Sequence, residues 1–337
     1  MARNQSPLIN YSQYLALRLL AAGMHVFSAR RNLATARMGG SLMYRLDRRH
    51  RERAIENIRR SIPELPAERV ERVAEQSMQQ FLQLGVEVMF TTRLIQLGTW
   101  ADHIRFNRLE ESLDLLLSDR PTILVTGHYG NWEVLGYLLA LLGIDLAAIA
   151  RPIDNPLIND WLLGVREAKG MRIITKWGAT EPMLQTLGRG GTLGFIGDQN
   201  AGDKGLFVPF FGRLASAYKS IALLAIQFDA PVIVGYARRV GEGLGFDVGA
   251  TDIIRPEDWK AAPDPLYYVT ARYTRAIETM VREAPEQYLW IHRRWKSRPR
   301  HERLGKPMPP ALRRQVEGLP WMTKQAVEAL SSDVVPD

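Results

Sequence analysis

The stretch Gly127-His128-Tyr129-Gly130-Asn131-Trp132-Glu133 sets an imidazole and a carboxylate close together, with four residues between them. PTILVT precedes it and reads as a buried strand; VLGYLLALLG follows and reads as an apolar helix. A strand end running into a helix start is where α/β folds place their sites. Gly127 and Gly130 permit tight turning, and Asn131 suits a helix N-cap, which puts Glu133 in the first turn and His128 in the turn before it. A carboxylate that accepts from one imidazole nitrogen orients the ring and stabilises its protonated form. The second nitrogen can then take a proton from a hydroxyl, chemistry that suits attack of an alcohol on an acyl carbon. Amides at the helix start would assist the anionic charge that develops. The same residues also suit a plainer arrangement, in which Glu133 complements the helix dipole and His128 caps a turn. Metal binding is not expected: His103 is the nearest other histidine, and no HExxH-type spacing occurs.

Other stretches share the character of a site. GFIGDQN, from Gly194 to Asn200, ends a strand with Asp198 and Gln199. IARPIDNP supplies Arg151 and WLLGVREAKG supplies Arg166, each able to grip phosphate or carboxylate. GLFVPFFGR presents Phe207, Phe210 and Phe211 in a loop bounded by glycine and proline. That loop fits the wall of an acyl-chain groove, a bilayer contact or core filling. QYLWIHRRWKSRPR interleaves Trp290, His292, Arg293, Arg294, Trp295, Lys296 and Arg298, a pattern that suits nucleic-acid bases or a lipid headgroup layer.

These residues need elements to position them. From about residue 8 to 118 the pattern is almost wholly helical; Val70, Val73, Met78, Phe81, Leu82 and Val86 recur at helical spacing. From about residue 121, β-rich runs (TILVTG, LAAIA, RIIT, TLGFIG, PVIVGYARRV) alternate with helical ones. The expected class is therefore α/β, a mostly parallel central sheet flanked by helices, with an N-terminal helical region. The expected division is an N-terminal helical region with a membrane-associating segment (1–118), an α/β core (119–302) and a peripheral C-terminal tail (303–337). The chain carries a net charge of +8, which points to an anionic partner. It has no cysteine, which removes thiol nucleophiles and disulfides. The N-terminal apolar portion, from about Tyr14 to Phe27, is interrupted by Arg18 and His25. It is shorter than the roughly 20 residues of a spanning helix and does not read as a signal peptide. It runs into a tract of arginines, from Arg30 and Arg31 to Arg51 and Arg53, which suits either a helix lying on an anionic membrane or one packed on its own domain.

In this order, NIRRSIPELPAERVERV, GHYGNWE, ARPIDNPLIND, GDQN, VPFFG and PEQYLWIHRRWKSRP resemble the late acyltransferases of lipid A biosynthesis, the lauroyl/myristoyl transferase family. Ile62 stands where that family usually has an aromatic residue. The resemblance implies a glycerolipid-acyltransferase-like fold with His128 and Glu133 as its catalytic pair. It places Arg166 and Asp198 at charged positions near the site and Arg151 in an Arg-Pro segment, as substrate-binding residues. It implies no metal and no cofactor, and a place on the cytoplasmic face of the inner membrane. The implied acceptor is a lipid A precursor, and the implied donor is an acyl thioester, acyl carrier protein or acyl-CoA. Relatives acylating other anionic glycolipids or lysophospholipids carry the same core motifs. A noncatalytic membrane scaffold is a further reading. Nucleic-acid binding is not expected, since no such module is present and the cations cluster at the two ends.

Overall fold

The computed structural model describes residues 6–107 and 109–332. Four helices come first: α1 (Pro7–Met24), α2 (Ala29–Leu46), α3 (Arg48–Ser61) and α4 (Ala67–Leu94). Ser6, Ser28 and Asp47 cap the first three through side-chain oxygens, which satisfies amides that the helix itself leaves open. Helices α2 and α4 cross closely at Gly40, where an added Cβ would lie 2.3 Å from the Gln79 Cα, so only glycine fits. Along α4, Val70, Val73, Met78 and Val86 are buried as their spacing predicts, whereas Phe81 is exposed.

The alternating region follows as β1 (Ile104–Asn107), α5 (Glu110–Leu116), β2 (Thr122–Thr126), α6 (Trp132–Leu141), β3 (Leu146–Ala150), α7 (Pro156–Glu167), β4 (Arg172–Thr175), α8 (Thr180–Gly188) and β5 (Thr192–Ile196). Next come β6 (Leu206–Phe210), β7 (Arg213–Ala217), α9 (Lys219–Phe228), β8 (Val232–Arg239), β9 (Phe246–Ile254), α10 (Pro256–Lys260) and α11 (Pro265–Glu283). The chain closes with α12 (Arg300–Arg303), α13 (Pro310–Glu317) and α14 (Lys324–Ser332). Seven strands form one sheet in the order β1-β9-β8-β2-β5-β3-β4. Only the β8–β9 pairing is antiparallel. Strand β2 is central and buried throughout. Its side chains alternate between faces: Ile123 and Val125 enter one apolar cluster, Leu124 the other. Burial of each such aliphatic side chain contributes about 1.5–3 kcal/mol. Helix α11 covers the first face through Tyr273, Ile277 and Met280; α6 covers the second through Val134, Leu138 and Leu141.

Three expectations need correction. The region to residue 118 is not wholly helical, because β1 adds an edge strand parallel to β9. The GLFVPFFGR segment is no exposed loop but the hairpin β6–β7, with Phe210 and Phe211 buried; core filling is its role. Phe211 sits in the tight turn at a φ of 52°, held by its amide on Glu278 Oε2 (2.6 Å) and its ring against Trp290. The C-terminal segment is packed rather than peripheral, since Met308, Val316, Leu319, Val327 and Leu330 join the same apolar cluster as the sheet.

Helix α1 buries none of its residues. Leu8, Tyr11, Leu15 and Leu19 form an exposed stripe along it, and Met38, Leu42 and Leu46 form another on α2. Asn155, the cap of α7, holds α1 by donating to the Asn10 carbonyl (2.9 Å) and Gln13 Oε1 (3.0 Å). Among the described residues, no helix is long and apolar enough to cross a membrane.

Candidate active site

Strands β2 and β5 are parallel neighbours, so their C-terminal ends deliver GHYGNWE and GDQN side by side. The Gly197 amide donates to the Thr126 carbonyl (2.7 Å) and locks the two ends in register. Asp198 then accepts twice from one residue: the His128 amide donates to Oδ2 (2.9 Å), and His128 Nδ1 lies 2.7 Å from Oδ1. A carboxylate at Nδ1 fixes that nitrogen as the N–H and leaves Nε2 as the acceptor. Nε2 faces the Gln199 side-chain amide at 3.4 Å. Asp198 is buried and His128 nearly so. Burial opposes the Asp198 charge, but attraction and hydrogen bonding from His128, with a further pull from His292, outweigh it and hold the carboxyl well below its usual range.

The turn itself is braced from three sides. The Leu289 amide donates to the His128 carbonyl (3.0 Å), the Gly130 amide to the Gln287 carbonyl (3.0 Å), and the Asn131 amide to the Ala237 carbonyl (2.7 Å). Gly130 has a φ of +58°, and a Cβ there would lie 2.1 Å from the Ala237 oxygen, so no other residue fits. Asn131 caps α6 as its sequence position predicts, accepting from the Val134 amide (2.9 Å). Its Nδ2 donates to Glu87 Oε2 (2.7 Å), and Glu87 is itself paired with Arg239 in the interior. Residues far apart in sequence thus anchor the cap. Nothing in the local pattern of α4 marks Glu87 as different from its solvated neighbours except its place on the apolar stripe.

Glu133 does not touch His128. Arg166 takes both of its oxygens, Nε to Oε2 at 2.8 Å and Nη2 to Oε1 at 2.6 Å. The carboxylate at the His128 ring is that of Asp198, because Glu133 projects from the first turn of α6 toward α7, which carries Arg166. Burial opposes the Arg166 charge, and Glu133 more than compensates, so its pKa is raised. This pair lines an apolar pocket of about 70 Å³, walled by Trp132, Leu135, Leu146, Ala148, Met171 and Phe195. Trp132 also borders a narrow cleft that reaches His128, and its indole packs 4.9 Å from the imidazole. Arg151 is exposed just after β3 and pairs with Asp154 at 3.1 Å.

The aromatic-cation segment supplies what the motifs did not reveal. His292 packs edge-on against His128 with ring centres 4.2 Å apart. Burial lowers its pKa, and the positive charge of a protonated His128 lowers it further, to about 4. Arg294 is wholly buried, donates to the Ser216 carbonyl and lies over the Phe210 ring. His128, Asp198 and His292 hold potential ligand atoms within 4.8 Å of one another, the closest approach to a metal-type cluster among the described residues. The direct His128–Asp198 bond makes them a hydrogen-bonded pair with a neighbouring ring.

An imidazole held by a carboxylate beside an apolar pocket is an arrangement able to move a proton. Residues 8–297 match the bacterial lipid A biosynthesis acyltransferase family. A lipid A biosynthesis lauroyltransferase of Escherichia coli (strain K12) is 26% identical over 193 residues, covering 57% of this chain and 61% of its own length. A palmitoleoyltransferase of the same organism is 28% identical over 196 residues, 56% of this chain and 61% of its own. A lipid A biosynthesis acyltransferase of Haemophilus influenzae is 24% identical over 250 residues, 72% of this chain and 75% of its own. The matched region is thus less than two thirds of either E. coli protein. With most of its length matched, the chain belongs to the family of bacterial lipid A biosynthesis acyltransferases.

Proposed function

We propose that this protein transfers a fatty acyl chain from a thioester to a hydroxyl of a lipid A precursor, with His128 as general base. One observation carries the reading: Asp198 grips both the amide and Nδ1 of His128, which leaves Nε2 poised to accept a proton. Nε2 takes the hydroxyl proton as the oxygen attacks the thioester carbonyl. Asp198 stabilises the imidazolium that forms, and the start of α6 lies beside the developing oxyanion. When the C–S bond breaks, the imidazolium returns the proton to the leaving thiolate. The apolar pocket beside Trp132 receives an acyl chain, and Glu133 with Arg166 forms its polar rim. Arg151, exposed and paired with Asp154, meets an anionic headgroup by exchanging that partner.

The preferred donor is an acyl chain on an acidic carrier protein, which the net charge of +8 favours; acyl-CoA is the alternative. Amphipathic α1 and α2, with exposed apolar stripes and Arg18, Arg30, Arg31 and Arg37, support attachment to an anionic membrane surface, here the cytoplasmic face of the inner membrane. Each donor is offered with each acceptor, and lipid mass is followed. The expected product is an acylated lipid A precursor. Transfer only to a phosphoinositide mannoside or a lysophospholipid would overturn the acceptor assignment; no transfer from folded protein would favour a scaffold. Deleting residues 1–31 is expected to shift protein from the membrane to the soluble fraction.

A further inference from the structure

We propose that Arg49, Arg53 and Arg293 form a phosphate-binding site beside the His128 imidazole. The proposal rests on the acyl-transfer reading above and adds where a phosphorylated substrate is gripped. Arg49, Arg53 and Asn57 recur every fourth residue on α3 and therefore share one face of that helix. That face is stitched to the segment carrying His292. Arg53 Nη1 donates to the Ile291 carbonyl (3.1 Å), and Asn57 Nδ2 donates to the carbonyls of Trp290 (2.8 Å) and His292 (3.2 Å). Arg293 follows His292, whose ring packs on His128.

Two other arginines of α3 pair with acids of the same helix, Arg48 with Glu52 and Arg59 with Glu56. Among the described residues, Arg49, Arg53 and Arg293 have no carboxylate in salt-bridge contact. Asp47 is hydrogen-bonded by the His50 amide (3.1 Å) and ring (2.6 Å), and attracts Arg49 and Arg53 only from beyond salt-bridge contact. Burial lowers the Arg53 pKa, and the nearby charges of Arg293 and Arg49 lower it further against a smaller opposing pull from Asp47. Arg53, held against the backbone next to the site and repelled by Arg49 and Arg293, centres a cationic patch suited to a multiply charged anion with several acceptor oxygens. A phosphate meets that description. It belongs either to the acceptor's headgroup or to the phosphopantetheine arm of the donor.

Kinetics in neutral detergent micelles, free of anionic lipid, separate the sources. Arg49 and Arg293 are exposed, so R49Q/R293Q is expected to fold; Arg313→Gln, in an exposed pair with Glu317, is the control. The double variant is expected to raise the KM of one phosphate-bearing substrate about tenfold or more, with kcat little changed. The rise disappears when that substrate lacks its phosphate: a phosphatase-treated acceptor in one arm, an acyl-pantetheine donor in the other. The arm in which it disappears names the source. A rise that persists without phosphate in both arms, or no rise at all, overturns the proposal. Inorganic pyrophosphate binding, followed by titration calorimetry, gives a readout independent of turnover: wild type is expected to bind it and R49Q/R293Q at least tenfold more weakly. Binding that is lost in the variant while wild type transfers no acyl chain would sink the acyl-transfer reading and leave the phosphate site standing. Equal pyrophosphate binding by both proteins would sink the site.

Discussion

Two charge pairs flank the turn at the head of α6, and they differ in kind. His128–Asp198 joins a titratable ring to a carboxylate from the neighbouring strand, and neither group has appreciable contact with solvent. Glu133–Arg166 joins a carboxylate to a guanidinium, bidentate and largely buried at the rim of the apolar pocket. The first pair can pass a proton through Nε2 while its other nitrogen stays fixed. The second is a bidentate ion pair away from the imidazole. What it can do is hold α6 against α7 and set the shape of the pocket mouth. Sequence proximity to His128 is therefore a poor guide to which acid serves the imidazole.

The largest expected effect separates the two pairs directly. His128→Ala removes the base and is expected to lower kcat by about four orders of magnitude. The variant should still fold, because the backbone bonds of the turn do not use the ring, but with about 1–3 kcal/mol less stability, since the buried Asp198 loses its partner. Full turnover from folded H128A would end the general-base assignment.

Asp198→Asn comes next. The amide can still reach the His128 ring, but it no longer stabilises an imidazolium, so kcat is expected to fall by about two to three orders of magnitude. The acid limb of the pH–rate profile should move to lower pH, because loss of the Asp198 charge disfavours the imidazolium. Glu133→Gln should leave that limb where it is. If E133Q moves it and D198N does not, the comparison is reversed.

Glu133 and Arg166 are expected to act through packing. Either E133Q or R166Q alone strands a largely buried charge and should cost about 1–3 kcal/mol of stability. The double variant should recover part of that loss, with a coupling that a double-mutant cycle measures directly. Additive losses would mean that the bidentate geometry contributes nothing as a pair.

Much of this was legible in the sequence because it is local. The β-branched run ending at Thr126, the glycines, the Asn131 cap and the apolar helix beyond it are all set within about twenty residues, and each behaves as its residue type dictates. The Asp198 partnership spans 70 residues and depends on β2 lying beside β5, a fact of sheet order that no local pattern carries. A carboxylate at the end of another parallel strand was the available signal, and it placed Asp198 near the site without its role. Strand β1 escaped because IRFN is short and exposes two of its four residues. His292 was visible only as one aromatic among cations. Its contact with His128 arises because the chain after α11 returns to bridge the turn, where Tyr129 pairs with Tyr288.

The smallest effect expected concerns His292, and it tests whether the ring beside the base is kept neutral. His128, Asp198 and Arg294 face it; burial lowers its pKa first, and the charges on His128 and Arg294 add to this against the opposing pull of Asp198. A pKa of about 4 in the folded protein lies below the ordinary value of 6.5, so the unfolded chain binds the proton more readily. Stability from this group is fully present above pH 6.5 and is lost as pH falls toward 4. Between pH 7.5 and 5.5 the loss is expected to be about 1 kcal/mol. Asp198, with its lowered pKa, acts in the same direction but only below the ordinary carboxylate range. His292→Phe keeps an edge-on ring and removes the titration. Urea midpoints for the two proteins, measured at both pH values, should show the wild-type decline shrinking in the variant by that amount. An identical decline in both would mean that His292 does not stay neutral against His128.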